Sequence, residues 1–223
     1  MKLAALTSGG KDSLYAVYLA EKQSHNIRYL LSMRPKRSDS YMFHHPNIEL
    51  TGLQAELMGI PLLVEKTLGE KEKELADLER LISRVKDKVD GILTGAIASN
   101  YQRERIDRIC KKFSLECISP LWHINSEKYW RDLLDAGFRI MVTAVSAEGL
   151  DESWLGRIID EKAIDELKEL NRKFKIHLGF EGGEAETLVL DCPMFRKKIE
   201  IVEAKKEWDG QRGTYIVKRW VVN

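Results

Sequence analysis

Cysteine is scarce in this 223-residue chain, with three residues, Cys110, Cys117 and Cys192, an odd number with no CxxC spacing and no nearby histidine pair. That excludes a disulfide framework and offers no zinc site, so these thiols read as small, reduced, structural side chains. No charge of one sign prevails: 36 Lys and Arg stand against 35 Asp and Glu, a formal net charge of +1. Such a balance sets up no broad field for nucleic acid or an anionic membrane, and neither is expected as a direct partner. Long hydrophobic runs are missing too, since the apolar N-terminal stretch stops at Ser8-Gly9-Gly10. It is too short for a signal peptide and far short of the roughly 18 apolar residues of a membrane span, which makes a cytoplasmic location the expectation. Internal repeats and low-complexity linkers are absent. What remains is ample core material, 43% hydrophobic residues, beside 32% charged ones, which excludes disordered and collagen-like classes. The length exceeds the roughly 150 residues that serve as a one-domain prior, so one principal domain with a smaller addition is expected.

Short β-rich runs alternate with helical stretches through the first two-thirds of the chain, which argues for an α/β fold, a parallel sheet with helices on both faces. Strands are expected at Leu3 to Thr7, Ile27 to Met33, Leu62 to Glu65, Ile92 to Thr94, Glu116 to Ser119 and Arg139 to Val145. Helices are expected after Gly10, over Glu49 to Met58, Glu70 to Lys88, Tyr101 to Phe113 and Glu127 to Ala136. The long charged helix would bury Leu75, Leu78, Ile82 and Val85. Arg34 to Pro46 has no period and reads as a long loop, a kind that is usually functional or mobile. Beyond Ala147 the pattern changes to one helix near Glu161 to Phe174, a Gly-rich segment and a hairpin of Lys198 to Trp208 with Thr214 to Val222. The expected division is therefore residues 1–146, an α/β domain, and residues 147–223, a smaller C-terminal α+β domain.

Ser8-Gly9-Gly10-Lys11-Asp12-Ser13 sits between the first strand and the first helix. Glycines let the backbone turn tightly and approach a ligand, and a helix start adds donors and a positive dipole end. Ser8 and Ser13 add hydroxyls, Lys11 can neutralise phosphate, and Asp12 can hold magnesium directly or through water. A polyphosphate with its metal suits this loop. The GxxxxGK[ST] and GxGxxG signatures are absent, which speaks against ordinary kinases and dinucleotide enzymes.

The same six residues resemble the SGGxDS phosphate loop of the ATP pyrophosphatases, in the adenine nucleotide α-hydrolase-like superfamily. That resemblance implies ATP as substrate with Mg2+, cleavage between the α and β phosphates, and activation of a carboxyl or carbonyl oxygen. The chain begins close to the first strand and lacks cysteine pairs, so neither a glutaminase domain nor thiolation chemistry is expected, and free ammonia is the natural nucleophile. Further stretches resemble the diphthine–ammonia ligase family across nearly the whole chain. They are Phe43 to Asn47, Gln54 to Pro61, Gly95 to Arg105, Pro120-Leu121-Trp122, Gly149-Leu150 with Trp154-Leu155-Gly156, and Glu181 to Thr187. At Ala185 the family more often has an aromatic residue. The resemblance implies a ligase that amidates the diphthine carboxylate of elongation factor 2 with ammonia through an acyl-adenylate, releasing AMP and pyrophosphate.

The candidate residues follow. Ser8, Gly9, Gly10, Lys11, Asp12 and Ser13 would hold the nucleotide, with Asp12 as metal ligand, Gly95 allowing close approach and His45 as a loop contact. Lys11, Asp12, Arg103, Glu184 and Glu186 are the catalytic candidates, Arg103 for charge on the phosphates. Asn100 and Tyr101, past the carboxyl end of a strand, and Glu181, Gly182, Gly183 and Glu184 are candidates for substrate binding. Glu181, Glu184 and Glu186 could converge on magnesium or on the substrate's trimethylammonium group. Trp122 and Trp154 are placed by turns where an aromatic face could take that cation. Two alternatives stay open: the same chemistry on another carboxylate, such as a corrinoid-pathway intermediate, and an ATP-binding module without turnover. A homodimer is also left open.

Overall fold

Five short apolar runs form one parallel sheet in the structure, a computed structural model that describes residues 1–35, 47–68 and 73–223. The strands are β1 (Lys2–Leu6), β2 (Asn26–Pro35), β3 (Leu62–Thr67), β4 (Gly91–Leu93) and β5 (Glu116–Ile118), in the order β3-β2-β1-β4-β5. Between them run α1 (Lys11–Lys22), α2 (Leu50–Met58), α3 (Lys73–Ser83) and α4 (Asn100–Lys112). Right-handed crossovers send α1 and α2 to one face and, because β3 to β4 returns across the sheet, α3 and α4 to the other. The second face is packed by Leu78, Leu81, Ile82 and Val85 from the α3 segment with Ile106, Ile109 and Cys110 of α4, against Ala4, Leu31, Met33 and Ile92 of the strands. The expected stripe of the charged helix is therefore present, with Leu81 added and Leu75 only half-buried. The helix itself stops at Ser83, and tighter turns such as Val85 N–H to the Ile82 carbonyl (3.0 Å) carry the chain on. His44 and His45, most of the long loop and residues 69–72 lie outside the described residues.

Chains leave β1 and β4, neighbours in the sheet, toward opposite faces. Their carboxyl ends flank the point where an open α/β sheet offers a crevice. The Ser8 to Ser13 loop leaves one of these ends and Gly95 follows the other.

The remaining elements build a second unit: α5 (Ser126–Asp135), β6 (Arg139–Val145), α6 (Glu161–Phe174), β7 (Ala185–Asp191), β8 (Ile199–Trp208) and β9 (Gly213–Val222). Its sheet is antiparallel, in the order β7-β6-β9-β8. The chain divides into two compact units between Trp122 and His123, and not at residue 146. The reason is β6. Its buried run looks like one more parallel strand, yet it pairs antiparallel with β7 and, at Ala144 and Val145, with β9. The expected hairpin is β8–β9, whose turn is held by the Asp209 carboxylate accepting from the Gln211 and Arg212 N–H groups at 2.9 and 2.8 Å. Among the described residues no helix is long and apolar enough to cross a membrane.

Candidate functional site

The phosphate-type loop is tied down at both ends. Thr7 still belongs to the sheet, its N–H donating to the Leu31 carbonyl at 2.8 Å, and its hydroxyl accepts from the Gly9 N–H at 3.1 Å. Gly9 adopts φ +81°, a region that favours glycine. A methyl group there would also lie 2.5 Å from Gln54 Oε1 and 3.2 Å from Thr51 Cγ2, so it would push the Gln54 amide aside. Gln54, on α2 and only 1% exposed, donates from Nε2 to the Gly9 carbonyl at 3.0 Å. A buried amide spent on one loop carbonyl fixes the peptide plane, and its loss leaves that carbonyl without this donor. Sequence periodicity assigns Gln54 to a helix but cannot show which carbonyl it reaches.

Ser8 and Ser13 do more than wait for a ligand. Ser13 Oγ donates to the Gly10 carbonyl (3.1 Å), and the Ser8 and Gly10 N–H groups donate to Ser13 Oγ and Ser8 Oγ, each at 3.4 Å. Gly10 caps α1 with no side-chain hydrogen bond, so the positive end of the helix dipole faces the loop without a capping side chain. Lys11 is 1% exposed, and its Nζ donates to both Asp12 carboxylate oxygens at 2.7 and 2.9 Å. Together the two side chains are near neutral, so attraction for an anion falls to the helix end and the glycine backbone. Gly95 proves to be a contact inside the fold: a methyl there would lie 2.6 Å from the Asp12 carbonyl carbon and 2.7 Å from Ser13 N. Its close approach is to the first turn of α1, the turn that carries the loop.

Helix α4 starts at Asn100, with the Ser99 hydroxyl accepting from the Gln102 N–H at 3.4 Å. Arg103 is exposed and holds its guanidinium 4.2 Å from the centre of the Trp122 ring. Arg105 lies 3.4 Å from the centre of Tyr101 and donates to the Tyr101 carbonyl at 3.3 Å. In the second unit Arg157 covers Trp154 at 4.4 Å, and Trp154 is buried. Both tryptophans expected to take a substrate cation thus carry an arginine of the chain itself, and Trp154 belongs to the core. Cys110 on α4 hydrogen-bonds the thiol of Cys117 on β5; that bond and burial push Cys110 up, and the same bond pulls Cys117 down.

The expected carboxylate cluster is rearranged. Glu184 spends both oxygens on backbone N–H groups, Oε1 on His177 (2.7 Å) and Oε2 on Gly182 (2.8 Å). Glu186 stands on β7 opposite Ala144, on a different segment from the turn. Among the described residues no group of three or more His, Cys, Asp or Glu side chains could hold a metal ion, so Glu181, Glu184 and Glu186 do not form the magnesium site that was one of the two expectations for them. The loop carries a residue that the sequence reading passed over: His177, whose Nδ1 accepts from the Gly179 and Glu181 N–H groups at 3.1 and 3.4 Å. Ser146 closes the other side, its hydroxyl donating to the Gly183 carbonyl (2.6 Å) and its N–H to the Glu184 carbonyl (2.9 Å).

Comparison with known proteins agrees with this two-unit organisation. Residues 1–117 match the family described as diphthamide synthase N-terminal domain, and residues 125–222 the one described as diphthamide synthase C-terminal domain. The chain is 36% identical over 221 residues to a human protein named diphthine–ammonia ligase, covering 89% of this chain and 82% of that one. It is likewise 36% identical over 221 residues to a Schizosaccharomyces pombe protein of the same name, covering 91% of this chain and 36% of that longer one. A solved chain from Methanocaldococcus jannaschii, titled a predicted subunit of tRNA methyltransferase, is similar with a TM-score of 0.48 and 15% identity, covering 86% of this chain and 98% of that one.

Proposed function

The chain belongs to the diphthine–ammonia ligase family, a family of carbon–nitrogen ligases, and from that premise we propose that it amidates the diphthine carboxylate of elongation factor 2, the last step of diphthamide synthesis. A carboxylate oxygen attacks the α-phosphorus of ATP, the bond to the bridging oxygen breaks, and pyrophosphate leaves with that electron pair. Ammonia then attacks the carbonyl carbon of the acyl-adenylate, AMP departs, and the surplus proton passes to solvent. ATP supplies the leaving group, so the protein has to position reactants and stabilise charge. A cytoplasmic location suits an enzyme that acts on a translation factor.

The observation that carries this reading is the Ser8 to Ser13 loop at the sheet's switch point, with Gly9 at φ +81° and its carbonyl held by Gln54. The uncapped start of α1 would face the β and γ phosphates. Magnesium would be held here by Asp12, the acidic residue of the first turn of α1, on the carboxylate lone pairs that Lys11 Nζ leaves open, since Mg2+ typically binds through one or two carboxylates plus phosphate oxygens. When bound it would neutralise charge on the departing pyrophosphate. Arg103, exposed on α4 and steadied over Trp122, is the proposed second cation for the phosphates. In the second unit, the Glu181 to Glu186 segment is the proposed acceptor-side loop for the diphthine side chain. Asp12→Asn tests the assignment: factor-dependent AMP release should be lost, and a wild-type rate in that variant would refute the role given to the loop.

A further inference from the structure

We propose that His177 and Glu184 are positioning residues that together set the shape of the Glu181 to Glu186 loop, with a neutral His177 accepting at Nδ1. This rests on the reading of that loop as the acceptor side. Helix α6 is capped by Lys175 in the left-handed region (φ 60°), and Asn171 Nδ2 donates to the Ile176 carbonyl at 2.6 Å, so the chain enters the loop in a fixed direction. Four loop N–H groups then turn inward onto two side chains. Those of His177 and Gly182 go to the two Glu184 oxygens, and those of Gly179 and Glu181 go to His177 Nδ1. Trp130 supplies the floor, its Nε1–H donating to the Leu178 carbonyl at 2.8 Å and its ring meeting Phe180 edge-on at 5.7 Å.

The geometry gives each side chain its part. A carboxylate with short hydrogen bonds from two backbone donors is engaged as an acceptor, and Glu184 serves as a staple of the turn. Two N–H groups aimed at Nδ1 require that nitrogen to be unprotonated, which puts the ring proton on Nε2. The exposed glycines 182 and 183 are thereby held in one conformation. A loop ordered before binding loses less freedom when an acceptor docks.

His177→Leu removes the acceptor, whereas His177→Asn offers an amide oxygen at the same distance along the side chain, and asparagine readily bonds the backbone two residues on. In the full-length protein, His177→Leu should raise KM for the diphthine-bearing factor about tenfold or more and leave KM for ATP unchanged, with His177→Asn recovering most of the loss. Glu184→Gln, which turns one acceptor oxygen into a donor, should act in the same direction. Amide hydrogen exchange read without substrates should show faster exchange at Gly179 and Glu181 in His177→Leu and near-normal exchange in His177→Asn. Equal losses for ATP and factor, or no recovery with asparagine, would overturn the positioning role. Should the wild-type protein release no AMP with the factor, the proposed function fails on its own, and unchanged amide exchange in His177→Leu would separately overturn the clamp.

Discussion

Gly95→Ala is the sharpest perturbation of the nucleotide loop, because it adds one methyl group against backbone alone. That methyl would lie 2.6 Å from the Asp12 carbonyl carbon, 2.7 Å from its oxygen and 2.7 Å from Ser13 N. No side chain can rotate away, and restoring ordinary contact at about 3.5 Å requires the first turn of α1 to move by roughly 0.8 Å. Overpacking of this kind costs about 1–3 kcal/mol, and a catalytic misplacement near 1 Å costs on the order of 10² in rate. Calorimetric titration of ATP should show affinity at least about tenfold weaker, and thermal unfolding should fall by about 2–4 °C per kcal/mol lost. Gly137→Ala is the control: φ is +83° with nothing within 4 Å of the added methyl, so it stores backbone strain in the second unit and crowds nothing. It should cost about 1–2 kcal/mol of stability and leave ATP affinity unchanged. Wild-type ATP affinity in Gly95→Ala would refute the account of how the β4–α4 connection supports the loop.

Gln54→Ala removes the buried donor to the Gly9 carbonyl and should cost about 1–3 kcal/mol of stability, with weaker ATP binding in the same titration; unaltered binding would contradict its role. Trp122→Leu and Arg103→Met should be non-additive by about 0.5–2 kcal/mol in the rate of AMP formation, since each removes one half of the same stacked pair. The Arg157 guanidinium beside Glu166 holds that carboxyl below its ordinary value. The unfolded chain takes up the proton first, so this contribution is fully present above about pH 4.3 and is lost as pH falls through the depressed folded value. The pair is partly exposed, and urea unfolding at pH 5 and pH 3 should differ between wild type and Glu166→Gln by less than about 1 kcal/mol; a larger gap would place more weight on the pair than its exposure allows.

The parallel half of the fold is legible in sequence because each strand is a short buried run and each helix carries its own stripe, as with Leu78, Ile82 and Val85. Strand β6 was misplaced for a physical reason: a strand covered on both sides has the same apolar run whether its partners are parallel or antiparallel. Those partners, β7 and β9, arrive some forty residues or more later in the chain. The Ser8 to Ser13 loop is legible because glycine, serine and helix start are local features. Lys11 turning inward onto Asp12 is not, since the direction of a long side chain depends on what covers it. Glu181, Glu184 and Glu186 read as one acidic cluster from spacing, yet the turn aims Glu184 at backbone N–H groups and the start of β7 carries Glu186 away. One local sign of His177 was available: a side-chain acceptor just after a helix end and two residues before a glycine, the setting in which such groups bond the backbone ahead.

The central claim is tested most directly by incubating the purified protein with magnesium, ammonium and labelled ATP, with and without elongation factor 2 bearing diphthine, and measuring AMP, pyrophosphate and amidated factor. AMP and amide should appear in equal amounts and only when the factor is present. ATP bound without AMP under every condition, or AMP formed at the same rate with no factor and no amide, would contradict it.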